Sequence, residues 1–354
     1  MRERWSCLIT QPVHPIGWEL LAAAGIAVRQ ASATTMHGIA GEIADADAVI
    51  TRDAGMPAWV LDHAPRLRVV GNHGAGTNKV DVAHATHCGI AVTNTPGANG
   101  RSVAEHAMAL LLAVARKVPQ AHHASRSGDW QFRFSHTMHE LYGKVLGIAG
   151  FGAIGSAFAN IARHGFGMRV CVWSPSLDAT RRAQLATDGM EWVETLPELL
   201  ERADVVSLHR PARADTVHMI NAATLALMKP SAILLNTSRG TLIDEAALAE
   251  ALRMGRLFGA GLDVFEQEPP PADSPLLALS PETNLVCAPH IGGATQEALV
   301  ATITVAVEQV VAVLRDERPR HLVNPEVWAH RRATRSAAGS PRQDVGSADT
   351  CWRK

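Results

Sequence analysis

Short β-branched and apolar runs recur along the chain, separated by amphipathic helical stretches. Near the N-terminus the runs are Trp5–Thr10, Ala46–Thr51, Leu67–Gly71 and Ile90–Thr93, with helical patterns at Trp18–Ala24 and Pro57–His63. A stronger set begins at Lys144, with strands predicted at Val145–Ala149, Arg169–Trp173, Asp204–Leu208, Ala232–Asn236, Gly259–Leu262 and Leu285–Ala288. Helices fit between them at Ile154–Arg163, Thr180–Thr187, Leu196–Arg202, Ala222–Met228 and Glu245–Met254. Strand-helix alternation of this kind implies parallel sheets with crossover helices, and the second set describes a doubly wound sheet.

Two spacings mark helix starts. Thr195-Leu-Pro-Glu198 and Ser102-Val-Ala-Glu105 both have the form of a capping box, in which hydroxyl and carboxylate satisfy each other's backbone N–H groups. The second opens a long apolar helix to about Lys117 that bridges the two α/β sets. A further helical pattern from Thr295 to Leu314 follows the last strand and is expected to return to the first domain. The fold class is therefore α/β, two Rossmann-like doubly wound domains, one inserted into the other. Residues 1–99 and 291–328 are expected to form a discontinuous first domain, 100–290 the domain inserted into it, and 329–354 a disordered basic tail.

Composition narrows the class. Hydrophobic residues make up 47% and charged residues 19% of the 354 positions, which suits a buried core and not disorder. Lys plus Arg is 33 and Asp plus Glu is 34, which argues against a nucleic-acid binder relying on a basic face. Six of the basic and two of the acidic residues lie from 331 onward, leaving the body at −5. The five cysteines show no CxxC and no regular spacing, as expected of reduced thiols in the cytoplasm. The N-terminal MRERWSCLIT lacks an apolar signal core, and the apolar helix around Ala107–Ala115, read as the longest, is too short to span a bilayer.

The chemistry is carried by strand ends. Gly150-Phe-Gly152-Ala153-Ile154-Gly155 is a GxGxxG string that follows a predicted strand and opens a predicted helix, as a dinucleotide fingerprint requires. Gly150 permits the tight turn, Gly152 lets a pyrophosphate approach the backbone, and Gly155 permits close helix–strand packing. At the end of the next strand, where an acid often binds the ribose, stands Ser174, either a ribose donor or an ordinary turn residue. Asn236-Thr-Ser-Arg239-Gly follows another strand, and an arginine there can grip a carboxylate through two charge-assisted hydrogen bonds. Asp263, Glu268 and His290 fall near later strand ends; a histidine beside a carboxylate can transfer protons near neutrality. Arg, Glu and His beside a dinucleotide fingerprint suggest hydride chemistry.

With these residues the chain resembles the D-isomer-specific 2-hydroxyacid dehydrogenase family, which includes phosphoglycerate dehydrogenases and hydroxypyruvate or glyoxylate reductases. The resemblance covers about residues 45 to 328 through NHGAGTNKVD, NTPGAN, SVAEHAMALLL, ELYGKVLGIAGFGAIG, LNTSRGTLIDEAAL, GLDVFEQEP and APHIGGAT. It implies that Arg239 binds the substrate carboxylate and polarises the C2 oxygen, that His290 exchanges a proton with that oxygen, and that Glu268 tunes His290. It also implies that Asp263 orients the nicotinamide carboxamide, that His209, Pro211, Thr237, Ser238 and Gly293 line the cofactor, and that Gly74-Ala75-Gly76 holds the carboxylate on backbone N–H groups. Arg52 matches a substrate-side arginine of some members, although Asp53 departs from the usual small residue.

Several expectations follow. The activity is NAD(P)(H)-dependent interconversion of a small D-2-hydroxy acid and its 2-keto partner, of hydroxypyruvate or glyoxylate type rather than 3-phosphoglycerate, for which Arg52 is the one identified cation. The alternative is a dinucleotide-sensing, corepressor-like binding protein. Without an acid at 174, and with Arg181 and Arg182 nearby, NADP(H) is expected to be accepted at least comparably to NAD(H). Segment 120–143, with poor helical periodicity but Trp130, Phe132, Phe134 and Tyr142, is expected to be the arm of a homodimer. No metal is expected, since His84, His87, Cys88 and the His122-His123 pair do not form a four-ligand zinc pattern. No nucleic-acid or membrane partner is expected, and no C-terminal domain for serine feedback.

Overall fold

The computed structural model of the protein describes residues 5–332. These form two α/β units, one comprising the residues up to Asn99 and from Gln296 onward, the other Gly100–Thr295. The chain thus returns to unit 1 at Gln296 and not at 291, because the N–H groups of Ile291 and Gly292 are both held by the carboxylate of Asp263 in unit 2.

Unit 1 contains β1 (Ser6–Ile9), β2 (Ala27–Gln30), β3 (Ala48–Thr51), β4 (Val69–Asn72) and β5 (Ala91–Thr93), all parallel, in the order β2-β1-β3-β4-β5. Side chains alternate across the sheet: Val49, Val70 and Val92 enter one core, Ala48, Ile50, Val69 and Ala91 the other. β2 escaped the sequence reading because Ala-Val-Arg-Gln is a half-polar edge strand, paired only with β1. The Gln296–Leu314 helix packs on this sheet through Ile303, Ala306, Val307 and Val310. It is long and apolar enough to cross a bilayer, contrary to the expectation that 107–115 was the longest apolar helix, but half of that apolar window is buried inside the protein. That is the condition of a core helix.

Unit 2 contains β6 (Val145–Ala149), β7 (Arg169–Trp173), β8 (Glu191–Trp192), β9 (Val205–Leu208), β10 (Ile233–Asn236), β11 (Gly259–Leu262) and β12 (Leu285–Cys287), in the order β12-β11-β10-β9-β6-β7-β8. The sheet is parallel and has seven strands rather than six; β8, two residues long at the edge, is too short to give a pattern. Cores lie on both faces, with Leu208, Leu234 and Leu262 in one and Ile148, Phe158, Ile233 and Leu235 in the other. Strands buried on both faces read as continuous apolar runs, which is why this set was the stronger in the sequence.

Local signals fared unevenly. Thr195 caps its helix by accepting from Glu198 N at 3.3 Å, while the Glu198 carboxylate returns to Glu194 N and not to the cap residue. Ser102 is no cap, because its helix begins earlier, at Gly100, and runs to Ala115. Its hydroxyl instead meets that of Thr295 at 2.8 Å. Segment 120–143, poor in helical periodicity, nonetheless shares the helix Val118–Ser127 that follows the left-handed Lys117. Only Ala124 of that helix is buried, so no apolar stripe announces it. Residues 329–332 are not a loose tail: Ala329 ends a 3-10 helix, and Arg332 donates to the carbonyls of Cys88, Ala64, Pro65 and Leu67. The remainder of the expected tail lies outside the described residues.

Candidate active site

The fingerprint occupies the end of β6, where strand order reverses between β6 and β9, the position at which open α/β sheets bind ligands. Gly150 has φ 101°, and a Cβ there would lie 2.6 Å from the His209 carbonyl oxygen. At Gly155 a Cβ would sit 2.3 Å from the Gly150 oxygen, whereas at Gly152 it meets nothing within 4 Å. Two glycines are thus required by packing, and the third leaves a clear approach to the N-terminus of the Ala153–Phe166 helix. No side chain caps that helix, so its first N–H groups and dipole remain available to an anion.

The surrounding groups fit a dinucleotide. Thr237 Oγ1 and His209 Nδ1 are buried without hydrogen-bond partners, while His209 Nε2 meets Ser207 Oγ at 2.9 Å. Burial pushes the His209 imidazole down to about 4, which keeps it neutral. Ser174 is 3% exposed, its hydroxyl 3.1 Å from that of Ser176. The two arginines beyond it diverge: Arg181 donates to the carbonyl of Phe151 within the fingerprint at 3.1 Å, whereas Arg182 turns to the Leu177 carbonyl and the Trp192 ring. Pro211 is exposed in the loop after β9, where its carbonyl accepts from Thr216 at 2.8 Å.

Arg239 follows β10 in a loop built by Asn236. The Asn236 side chain donates to Arg239 O and accepts from the N–H and hydroxyl of Ser238, and the Arg239 guanidinium donates to Ser238 O. The next residue must be glycine. A Cβ at Gly240 would lie 1.8 Å from the Phe265 carbonyl carbon and 2.2 Å from Glu266 N, so the backbones of the Arg239 loop and the loop after β11 are in direct contact.

That second loop delivers the carboxylate. Glu268 Oε2 lies 2.8 Å from His290 Nδ1, and its other oxygen accepts from Phe265 N at 3.3 Å. His290 has φ 54°, a left-handed conformation that an ordinary side chain adopts only when its surroundings hold it there. Asp263 does the holding: its carbonyl accepts from His290 N, and its carboxylate oxygens accept from Ile291 N and Gly292 N, each at 2.8 Å. Gly293 lies in the turn that the Ala294 N–H closes onto Ile291 O. The His290 pKa is raised, chiefly by the hydrogen bond to Glu268, with burial opposing; the charges of Glu268 and Asp263 add to the rise and that of Arg239 subtracts. Here is an imidazole biased toward its charged form, with a guanidinium near enough to act on its charge.

Unit 1 holds the remaining candidates at the carboxyl ends of its strands, Arg52 at the switch point between β1 and β3 and the glycine loop after β4. Arg52, after β3, donates to the Pro12 carbonyl beyond β1 at 3.0 Å. The loop Gly74-Ala75-Gly76 after β4 is shaped by amides, Asn72 donating to Gly74 O and Gly76 O, and Asn94 to Ala75 O. Sequence reading missed these asparagines, the necessity of Gly240, and His106, whose Nε2 stands 3.1 Å from Asp263 Oδ1. The signals were present, an Asn heading a glycine loop and a His in an apolar helix; Asn72 acts within its own loop, whereas Asn94 and His106 act on residues far along the chain.

Residues 108–292 match the family described as D-isomer specific 2-hydroxyacid dehydrogenase, NAD binding domain. Over 290 residues the chain is 43% identical to a glyoxylate reductase of Korarchaeum cryptofilum (strain OPF8), covering 80% of this chain and 85% of that protein. The chain belongs to the D-isomer specific 2-hydroxyacid dehydrogenases. This places it among NAD(P)-dependent oxidoreductases acting on CH–OH groups. It is 40% identical over 319 residues to a D-3-phosphoglycerate dehydrogenase of Methanocaldococcus jannaschii, covering 90% of this chain but spanning only 59% of that relative's length. Among solved structures, the NADPH-dependent glyoxylate/hydroxypyruvate reductase of Sinorhizobium meliloti in complex with NADP and malonate has a TM-score of 0.80 and 29% identity, covering 94% of this chain and all of that one. The 2-hydroxyacid dehydrogenase family thus contains relatives named for both phosphorylated and unphosphorylated acids.

Proposed function

We propose that the protein reduces a small unphosphorylated 2-keto acid of glyoxylate or hydroxypyruvate type to the D-2-hydroxy acid, and catalyses the reverse oxidation. The observation that carries this reading is the His290–Glu268 pair beside Arg239. Glu268 engages Nδ1, so Nε2 is the nitrogen that gives its proton to the C2 oxygen in reduction and takes it in oxidation. Arg239 binds the carboxylate and polarises the C2 oxygen, while Gly74, Ala75 and Gly76 offer backbone N–H groups to the acid and Arg52 a further cation. A bound nicotinamide dinucleotide would supply or accept the hydride at C2. Gly150, Gly152, Ala153, Ile154 and Gly155 would hold its pyrophosphate, with Ser174, His209, Pro211, Thr237, Ser238, Asp263 and Gly293 along the remainder.

The lean toward unphosphorylated acids rests on charge, since a distal phosphate calls for several cations and Arg52 is the one candidate identified in unit 1. NADP(H) is used at least as well as NAD(H): Ser174 brings no negative charge to repel a 2′-phosphate, and Arg181 already reaches the fingerprint. The active form is a homodimer, supported by the exposure of Trp130, Phe134 and Tyr142, and it works in the cytoplasm. Loss of nicotinamide absorbance with a panel of 2-keto acids and 3-phosphohydroxypyruvate, run with NADPH and NADH, tests the whole reading. Turnover of glyoxylate or hydroxypyruvate is expected with the highest kcat/KM. Dinucleotide binding with no turnover of any acid would instead favour a sensing protein.

A further inference from the structure

A second cluster of reactive side chains lies in unit 1. Asp62 is the C-terminal cap of the Ala58–Leu61 helix, His84 lies in the Val82–His87 helix, and Cys88 is the cap residue ending it. His84 and Cys88, four residues apart, share one face of that helix. Asp62 Oδ1 lies 2.7 Å and Cys88 Sγ 3.6 Å from the same atom, His84 Nε2, and the three donor atoms all fall within 4.8 Å of one another.

A single imidazole nitrogen is a poor hub for two such partners. With a proton, Nε2 serves one acceptor well; without it, its lone pair faces a carboxylate oxygen. A cation at the centre satisfies all three. Tetrahedral zinc bonded to S at about 2.3 Å and to N at about 2.0 Å sets an S–N separation of about 3.6 Å and an O–N separation of about 3.3 Å. The first is already met, and the second requires the Asp62 side chain to withdraw by only about half an ångström. Thiolate, imidazole and carboxylate together suit zinc rather than magnesium or calcium. The Asp62 side chain is 44% exposed, which leaves an entry path and a position for water as fourth ligand. Arg332 fixes the Cys88 backbone by donating to its carbonyl at 2.9 Å.

We propose that Asp62, His84 and Cys88 form a zinc site. With three protein ligands and an open fourth position it differs from closed four-ligand structural sites, and it stands apart from the substrate candidates. Asp62 and Cys88 precede β4 and β5, whereas Arg52 and Gly74 follow β3 and β4, so the cluster lies at the opposite edge of the parallel sheet from the substrate candidates. A bound ion would join two short helices that pack on the same core of unit 1 through Val60, Leu61 and Ala85.

The full chain, stripped with chelator, is titrated with Co²⁺ as a spectroscopic probe and with Zn²⁺ under equilibrium dialysis. One equivalent of each is expected to bind, Co²⁺ with a sulfur-to-cobalt charge-transfer band, and Zn²⁺ is expected to raise the melting temperature. Cys88→Ser abolishes the band, Cys287→Ser retains it, and Asp62→Asn weakens zinc binding by at least the roughly tenfold that loss of even an outer partner costs. Should Cys88→Ser fail to fold, Asp62→Asn at its exposed position carries the test by dialysis alone. No stoichiometric binding, a band that survives Cys88→Ser, or zinc affinity unchanged in folded Asp62→Asn would overturn the proposal.

Discussion

Two histidines, each just beyond a parallel strand, are driven in opposite directions. His73 follows β4 in unit 1, where burial and then the charge of Arg52 push its pKa down to about 4. His290 follows β12 in unit 2, where the hydrogen bond to Glu268 raises it. Unit 1 thus presents a neutral ring, side-chain amides and backbone around its glycine loop, groups that bind an anion without exchanging protons near neutrality. Unit 2 presents a titrating pair. The same residue type at the same place in a sheet is made inert or reactive by its neighbours alone.

The widest separation between the two is expected on truncation. His290→Ala should lower kcat by about 10³-fold, roughly 4 kcal/mol, the middle of the range for a proton-transferring side chain. Comparable loss of kcat from His73→Gln would erase the contrast. Gly240→Ala comes next. Its methyl group collides with the Phe265 backbone, and overpacking of this kind costs about 1–3 kcal/mol. A lower melting temperature together with a fall in kcat is expected, because the Arg239 and Glu268 loops move apart. Unchanged values for both would show that the loops do not depend on that contact.

Asn72→Ala tests unit 1 by a different readout. It removes two hydrogen bonds that shape the glycine loop, at about 1 kcal/mol each, so KM for the keto acid should rise by up to about 30-fold with kcat little changed. A fall in kcat without a change in KM would place the loop in the chemistry rather than in binding. Arg181→Ala is expected to cut kcat/KM about tenfold with NADPH, near 1.4 kcal/mol, and to leave NADH within about twofold. Equal losses with both would remove Arg181 from the choice of cofactor.

The finest test is the pH profile. A raised His290 pKa keeps the proton available for reduction below it, and the reduction rate falls as pH climbs through it; the oxidation rate rises over the same window. Glu268→Gln removes the main cause of the rise, so the descending limb should move to lower pH. His73→Gln should leave the limb in place, and movement with that variant instead would reverse the assignment of roles.

Much of this was legible because it lies within single segments. The continuous apolar runs of unit 2 declared its strands, and GFGAIG, NTSRG, GLDVFEQEP and APHIGG each carry their residue types side by side. The edge strand β2, the two-residue β8 and the polar Val118–Ser127 helix gave no period to read. The capping spacing at Ser102 was misleading, since a helix that starts at Gly100 leaves nothing there to cap. Asp263 as the clamp on the two residues after His290, and Asn94 as the brace on Ala75 of the glycine loop, depend on contacts between segments, which local pattern does not encode.

The contact at Gly240 has a consequence for anyone altering substrate range by directed evolution. Loops after neighbouring strands are usually treated as separate modules, varied in separate libraries and then combined. Here the residue that follows Arg239 touches the main chain of the segment leading to Glu268, so the two loops form one heritable unit. Insertions or bulky replacements in either will be tolerated only when the other changes with them, and useful variants are expected as linked pairs.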